Sequence, residues 1–186
     1  MSRFSQIKRP EDPDLAAAYE RALAMGFTGA EDGVPSNWVT SQSARPDLLQ
    51  ANLDYAARVF GQGRLPLTVK QLLLMTVAMQ SDCKCCLVAH SSALEKMGVP
   101  KDVIESCARD PEMANVPPAQ RAILKFGLKV ARDPKSITDA DVEALRDHNF
   151  SDGEIMEIAM VAGLGKILDL WSEVGGVALD RQVSTV

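Results

Sequence analysis

Two cysteines and a histidine stand at a spacing that lets them act together: Cys83, Cys86 and His90, within the run Cys83-Lys84-Cys85-Cys86. On a helix, positions i, i+3 and i+7 share one face, so two thiols and an imidazole converge while Cys85 points elsewhere. Thiols three residues apart can close a disulfide within one turn, the thiolate is the nucleophile for such chemistry, and His90 can supply or take the proton. Two effects compete over which sulfur attacks. A helix N-terminus, with unpaired N–H groups and a positive dipole end, favours a thiolate at Cys83. Nearness to His90 favours Cys86, because a hydrogen-bonded imidazole eases ionisation and returns a proton to the leaving oxygen; Cys83 would then resolve the sulfenic acid as a disulfide.

Zinc is a weaker reading. A closed zinc site takes about four ligands, and beyond the cysteines and His90 the chain offers only the distant His148. An inert reading treats the thiols as small buried hydrophobes and His90 as a satisfied core residue; a CxxC pair with an in-phase histidine at a capped helix start outweighs it. Cys107, alone on a later helix, reads as packing.

The elements that position this cluster are helical. Apolar residues recur with helical period almost throughout the 186 residues and no run alternates as a half-buried strand does, so the expected fold class is all-α with about eight helices. Asp12 and Pro13 open a first helix to about Met25, with Leu15, Tyr19, Ala22 and Leu23 on one face. The Gly-, Ser-, Asn- and Pro-rich stretch 26–43 reads as a loop and candidate lid, with Trp38 placed to cover a neighbouring subunit's site. Pro46 to Phe60 is a second helix, stopped by Gly61-Gln62-Gly63. Thr68 opens a third to about Gln80. The helix carrying the cysteines starts near Ser81 or Asp82 and stops at Gly98, and a short helix runs from Pro100 to about Arg109. Pro117 and Pro118 open the next, to Arg132, and Thr138 caps another through His148. Ser151-x-x-Glu154 forms a capping box for a last segment, broken near Gly163 and Gly165 and ending around Gly175.

Composition sets the class. Hydrophobic residues make up 46% and charged residues 24%, so the chain buries a core and is read as one domain over 1–186, an N-terminal helix and loop (1–44) preceding a core (45–177). A formal charge of −5 gives no footprint for a polyanion, and no nucleic acid partner is expected. The opening ten residues carry no apolar run, and the longest such stretch, Leu72 to Met79 broken only by Thr76, is far shorter than the roughly 20 residues that cross a bilayer. No membrane partner and a cytoplasmic location are therefore expected.

The segment Leu65-Pro-Leu-Thr-Val-Lys-Gln-Leu-Leu-Leu-Met-Thr-Val-Ala-Met79, followed by Cys83-x-x-Cys86-x-x-x-His90 and Met97-Gly98, resembles the core of the alkylhydroperoxidase D-like (carboxymuconolactone decarboxylase-like) family. The later segments from Pro117 to Phe126, Ile137 to Val142 and Phe150 to Ile155 resemble its longer, peroxidase-related branch. The resemblance implies an all-helical homo-oligomer, commonly a trimer or hexamer, that reduces a small-molecule hydroperoxide with no bound metal or organic cofactor and is recycled by an external dithiol. It also implies that Cys86 is the peroxidatic cysteine, Cys83 the resolving one, and His90 part of a proton relay.

One departure bears on the chemistry. Where the family's relay usually places a glutamate, twelve residues before the first cysteine, this chain has Gln71, and an amide exchanges no proton at neutral pH. Gln71 either orients a water or His90, or belongs to a Thr68-x-x-Gln71 capping box. Asp82, Asp169 and Glu157 are the candidate substitutes for the missing acid. Cys85, a third thiol, offers an alternative disulfide partner or an oxidation-prone surface site, and His148 reads as exposed at a helix C-terminus. Besides a peroxidase, two functions fit: a decarboxylase-like proton-transfer enzyme with incidental cysteines, and a non-catalytic disulfide sensor.

Overall fold

A computed structural model describes residues 2–61, 63–112 and 114–180, so Gln62 of the expected helix stop lies outside the described residues. Among the described residues the chain forms α1 (Pro13–Ala24), α2 (Asn37–Thr40), α3 (Pro46–Gly61), α4 (Leu67–Gln80), α5 (Lys84–Lys96), α6 (Lys101–Arg109), α7 (Pro118–Arg132), α8 (Asp139–Arg146) and α9 (Asp152–Gly175). A 3-10 turn at Pro134–Ser136 and an isolated bridge between Thr28 and Pro35 complete the regular structure. The all-α expectation holds, and no described helix is long and apolar enough to cross a membrane.

The centre is α4. Every residue from Val69 to Ala78 is buried, which suits a helix that is apolar on all sides and must be enclosed by others. It packs against α5, α7 and α9. The 24 residues of α9, about 36 Å long at 1.5 Å per residue, also reach α3. The expected break in α9 does not occur. A Cβ built on Gly165 would stand 2.9 Å from Val77 Cγ1, so this glycine brings α9 close to α4, and the packing gained there outweighs a propensity cost of about 1 kcal/mol. The Ser151/Glu154 capping box starts the helix as read, and Gly176, at φ 58°, ends it.

Two further boundaries differ from expectation. Pro66, not Thr68, holds the cap position of α4 with extended backbone, so Thr68 and Gln71 form no capping box. The helix α8 stops at Arg146, short of His148, because Asn149 takes positive φ immediately beyond; His148 is exposed as expected.

The stretch 26–43 is less open than its composition implies. It contains the Thr28–Pro35 bridge and α2, and residues 38–43 are buried. Trp38 packs within its own chain: Nε1 donates to the Leu168 carbonyl at 3.3 Å, and the ring stacks on Phe27. The preceding segment lies along the end of α9, where the Arg3 amide donates to the Gly175 carbonyl and Phe4 stacks on Trp171.

One buried ion pair ties α4 to α9. Lys70 is 2% exposed, and its Nζ lies 2.6 Å from Glu157 Oε1 and donates to the Val59 carbonyl at 2.6 Å. Glu157 Oε2 accepts the Arg64 amide at 3.0 Å, pinning the turn before α4. Removing one partner strands the other charge, so Lys70→Ala should lower unfolding free energy by about 3 kcal/mol in urea titrations, while Lys70→Met combined with Glu157→Leu should recover most of it. A single mutant as stable as the parent would show that the pair is not what holds this corner.

Candidate functional site

The site forms where α4 turns into α5. Asp82 adopts positive φ (53°), a conformation open to Asp and Asn at modest cost, and this turn swings Cys83 into the N-cap position of α5. Helix N-caps are usually Ser, Thr, Asp or Asn oxygens. Here the acceptor is sulfur: Cys83 Sγ takes the backbone N–H of Cys86 at 3.4 Å. One turn on, Cys86 Sγ lies 2.8 Å from Cys83 Sγ, within sulfur hydrogen-bond range and beyond the 2.05 Å of a disulfide. Both thiols are free and buried.

This geometry separates the two ionisations. Cys83 shares a 2.8 Å hydrogen bond with the Cys86 sulfur and accepts the Cys86 amide, and together these lower Cys83 below the ordinary thiol range against the effect of burial. The same hydrogen bond, with burial, pushes Cys86 well above it. The pair therefore carries its first negative charge at the helix N-terminus, on Cys83. His90 does not supply a counter-charge: complete burial lowers it to about 4, leaving roughly one imidazole in a thousand protonated at neutral pH.

His90 is joined to Gln71, across the α4–α5 interface, by a 2.8 Å contact from Nδ1 to Oε1. An amide oxygen only accepts, so a neutral His90 carries its proton on Nδ1 and leaves the Nε2 lone pair free as a base. Gln71 thus fixes the tautomer. Cys86 is held instead by Ser172 of α9, whose Oγ lies 3.3 Å from Cys86 Sγ.

Access distinguishes the sulfurs. A cavity of about 520 Å³ is lined chiefly by apolar side chains, among them Met25, Phe27, Phe60, Leu67 and Met97, and reaches Gln71 and His90. It borders a pocket of about 230 Å³ lined by Trp38, Cys85, Cys86, His90 and Ser172. Cys83 lines neither, so of these two sulfurs it is Cys86 that faces a ligand space. Cys85 does not point away as its helical position suggested: it lines the smaller pocket, half-buried, and burial pushes it up to about 12, which keeps it a thiol. Cys107 is fully buried, as packing requires.

The candidate acids part company. Asp82 is exposed on the turn and Glu157 is engaged by Lys70, whereas Asp169 is 3% exposed and its carboxylate lies within 4.8 Å of both sulfurs. Cys83, Cys86 and Asp169 do not fit zinc. Two sulfurs bound tetrahedrally at about 2.3 Å stand roughly 3.8 Å apart, well beyond the 2.8 Å seen here. Ser172 carried no signal in the sequence, being a lone hydroxyl in an apolar helix more than eighty positions from its partner.

Known proteins place this arrangement. The carboxymuconolactone decarboxylase family matches residues 46–129, the stretch from the start of α3 through the cysteine helix into α7. Among solved structures, the alkylhydroperoxidase AhpD core of an uncharacterized peroxidase-related protein from Ralstonia eutropha JMP134 is 26% identical, with a TM-score of 0.80 over 96% of this chain and 95% of that one. An uncharacterized peroxidase-related protein from Silicibacter sp. TM1040 is 21% identical, with a TM-score of 0.81 over 98% and 97% of the two chains. The debrominase Bmp8, bound to 2,3,4-tribromopyrrole, is 16% identical, with a TM-score of 0.81 over 97% and 93%, and shares the fold. No curated protein matches. With Cys83-x-x-Cys86 at the start of α5 and His90 one turn on, residues 46–129 match the carboxymuconolactone decarboxylase family, and the chain as a whole is similar in fold to alkylhydroperoxidase AhpD-core and peroxidase-related proteins.

Proposed function

We propose that this protein is a thiol-dependent peroxidase that reduces an organic hydroperoxide and is recycled by an external dithiol. The observation that carries the reading is the two-sided sulfur pair: Cys86 faces the pocket beside His90, and Cys83 stands 2.8 Å behind it. A proton leaves Cys86 by way of the Nε2 lone pair of His90. The Cys86 thiolate attacks the distal oxygen, the O–O bond breaks, and the departing alkoxide takes that proton to become the alcohol. Cys83 then attacks the Cys86 sulfenic acid, the S–O bond breaks, and hydroxide leaves as water when protonated. Two thiols supply the two electrons, and the dithiol restores them.

Cys86→Ser should reduce hydroperoxide consumption to background. Cys83→Ser should consume one equivalent per subunit and leave a sulfenic acid that dimedone traps. Equal, undiminished turnover in both variants would remove the cysteine mechanism, and fast disulfide formation with negligible turnover would select the sensor reading.

Gln71→Glu tests the relay. The introduced carboxylate favours imidazolium, so the folded pKa of His90 rises from about 4 and the acid limb of the rate profile should move to higher pH by about one unit or more. Between the new limb and neutrality the variant should be faster, because a carboxylate passes on a proton that an amide cannot. A limb left in place would mean that His90 is not the base.

We also propose self-association through α9. Its outer face exposes Met156, Met160, Leu170 and Val174 around half-buried Ile167, one continuous apolar stripe at helical spacing, and the implied homo-oligomer supplies a second copy to cover it. Met160→Glu and Leu170→Glu should each lower the mass measured by light scattering. An unchanged assembly in both would place the interface elsewhere.

A further inference from the structure

Asp169 is the one buried carboxylate that the mechanism above does not use. It is 3% exposed, and neither oxygen has a hydrogen-bond partner. A buried carboxylate left unsatisfied costs several kcal/mol, so its retention calls for a use. It lies within 4.8 Å of both sulfurs, and neither it nor Cys83 lines the cavity or the pocket.

We infer that Asp169 is the proton acceptor for the resolving thiol, taking the proton of Cys83 as that sulfur attacks Cys86 and passing it to solvent past Ser81. The inference rests on the peroxidase reading for its substrate, although the step itself occurs in any exchange that leaves Cys86 bonded to a leaving group. Once Cys86 is bonded to a leaving group it no longer shares a thiol hydrogen bond with Cys83, so the main cause that lowers Cys83 in the reduced pair is gone and Cys83 holds a proton. The Cys83 proton moves to an Asp169 oxygen, the Cys83 electron pair forms the S–S bond, and the Cys86–oxygen bond breaks with its pair leaving on hydroxide. Hydroxide takes a proton on the pocket side, and Asp169 returns its own to water.

The surroundings support this direction of flow. Burial raises Asp169 above the ordinary carboxylate range, which makes it a better base towards a thiol; Ser81, Cys86, Lys166 and Cys83 oppose that shift. The groups facing it from other elements are the two thiols at the start of α5 and Ser81 at the end of α4; on its own helix it is Lys166. Other ionisable groups of the interior are engaged elsewhere, among them Lys70 of α4 with Glu157, His90 of α5 with Gln71, Lys129 of α7 with Asp141, and Tyr19 of α1 with the Ile7 carbonyl. Exposed Lys166 donates to half-buried Ser81 at 3.1 Å, so a hydroxyl stands between the carboxylate and bulk water.

The experiment reads the resolving step without a peroxide. Reduced protein is mixed with 2,2′-dipyridyl disulfide: the first pyridinethione marks a mixed disulfide at the attacking cysteine, and the second marks closure by its neighbour. In the parent, the second phase should be level with pH above the point where Asp169 ionises. In Asp169→Asn it should slow about tenfold at neutral pH and climb with pH, because Cys83 must then ionise unaided. Asp169→Glu, which keeps a carboxylate, should retain the level profile. With cumene hydroperoxide, Asp169→Asn should accumulate a dimedone-trappable sulfenic acid that the parent does not.

A parental second phase that climbs tenfold per pH unit, or an Asn variant that closes at the parental rate, would overturn the inference, and the first of these needs no variant to fold. Indifference to cumene hydroperoxide alongside normal two-phase pyridinethione release would overturn the peroxidase reading and leave the role of Asp169 standing.

Discussion

Everything at this site follows from a sulfur serving as a helix cap. Because Asp82 turns back with positive φ, Cys83 sits at the N-cap of α5 and accepts the Cys86 amide, and the one-turn separation that makes the cap also sets the two sulfurs 2.8 Å apart. A serine there would cap at least as well. What the sulfur adds is an acceptor at the positive end of a helix dipole, where negative charge is stabilised and where the next thiol is already positioned to bond to it.

The competition between helix end and histidine resolves by separating charge from access. Imidazolium is too rare at neutral pH, with His90 lowered to about 4, to stabilise a thiolate, so the helix end governs where charge rests, on Cys83. Access governs where a ligand can be met, and there Cys86 alone of the pair borders the pocket. On the proposed mechanism the Cys86 proton leaves through His90 and not through Cys83, so the sulfur that borders the pocket is ionised from the pocket side while its partner stands 2.8 Å away.

Much of this was legible in the sequence, and the failures share a cause. Local signals held: Asp12 before Pro13, the Ser151/Glu154 box, the stop at Gly98, and the one-turn adjacency of Cys83 and Cys86 all act within a few residues. Thr68-x-x-Gln71 misled because a cap pattern is also local, whereas what engages Gln71 is His90, on the next helix. Gly165 misled because its tertiary contact with Val77, invisible in the chain, overrides helix propensity. Ser172 was illegible for the same reason, since only the α4–α9 packing brings residue 172 to residue 86.

Gln71 and Asp169 are two halves of one change in proton handling. A carboxylate at position 71 would press on His90 from the pocket side, raising the imidazole's basicity and coupling it to substrate protons. An amide fixes the same tautomer without the charge, so His90 stays neutral, and on the proposed mechanism it then serves the leaving alkoxide. A buried acid stands instead on α9, where Asp169 lies within 4.8 Å of both sulfurs. The proposed mechanism thereby divides proton traffic, with His90 for the substrate's oxygen and Asp169 for the resolving thiol. The helix contact held close by Gly165 and Lys70 keeps Asp169 within reach of sulfur.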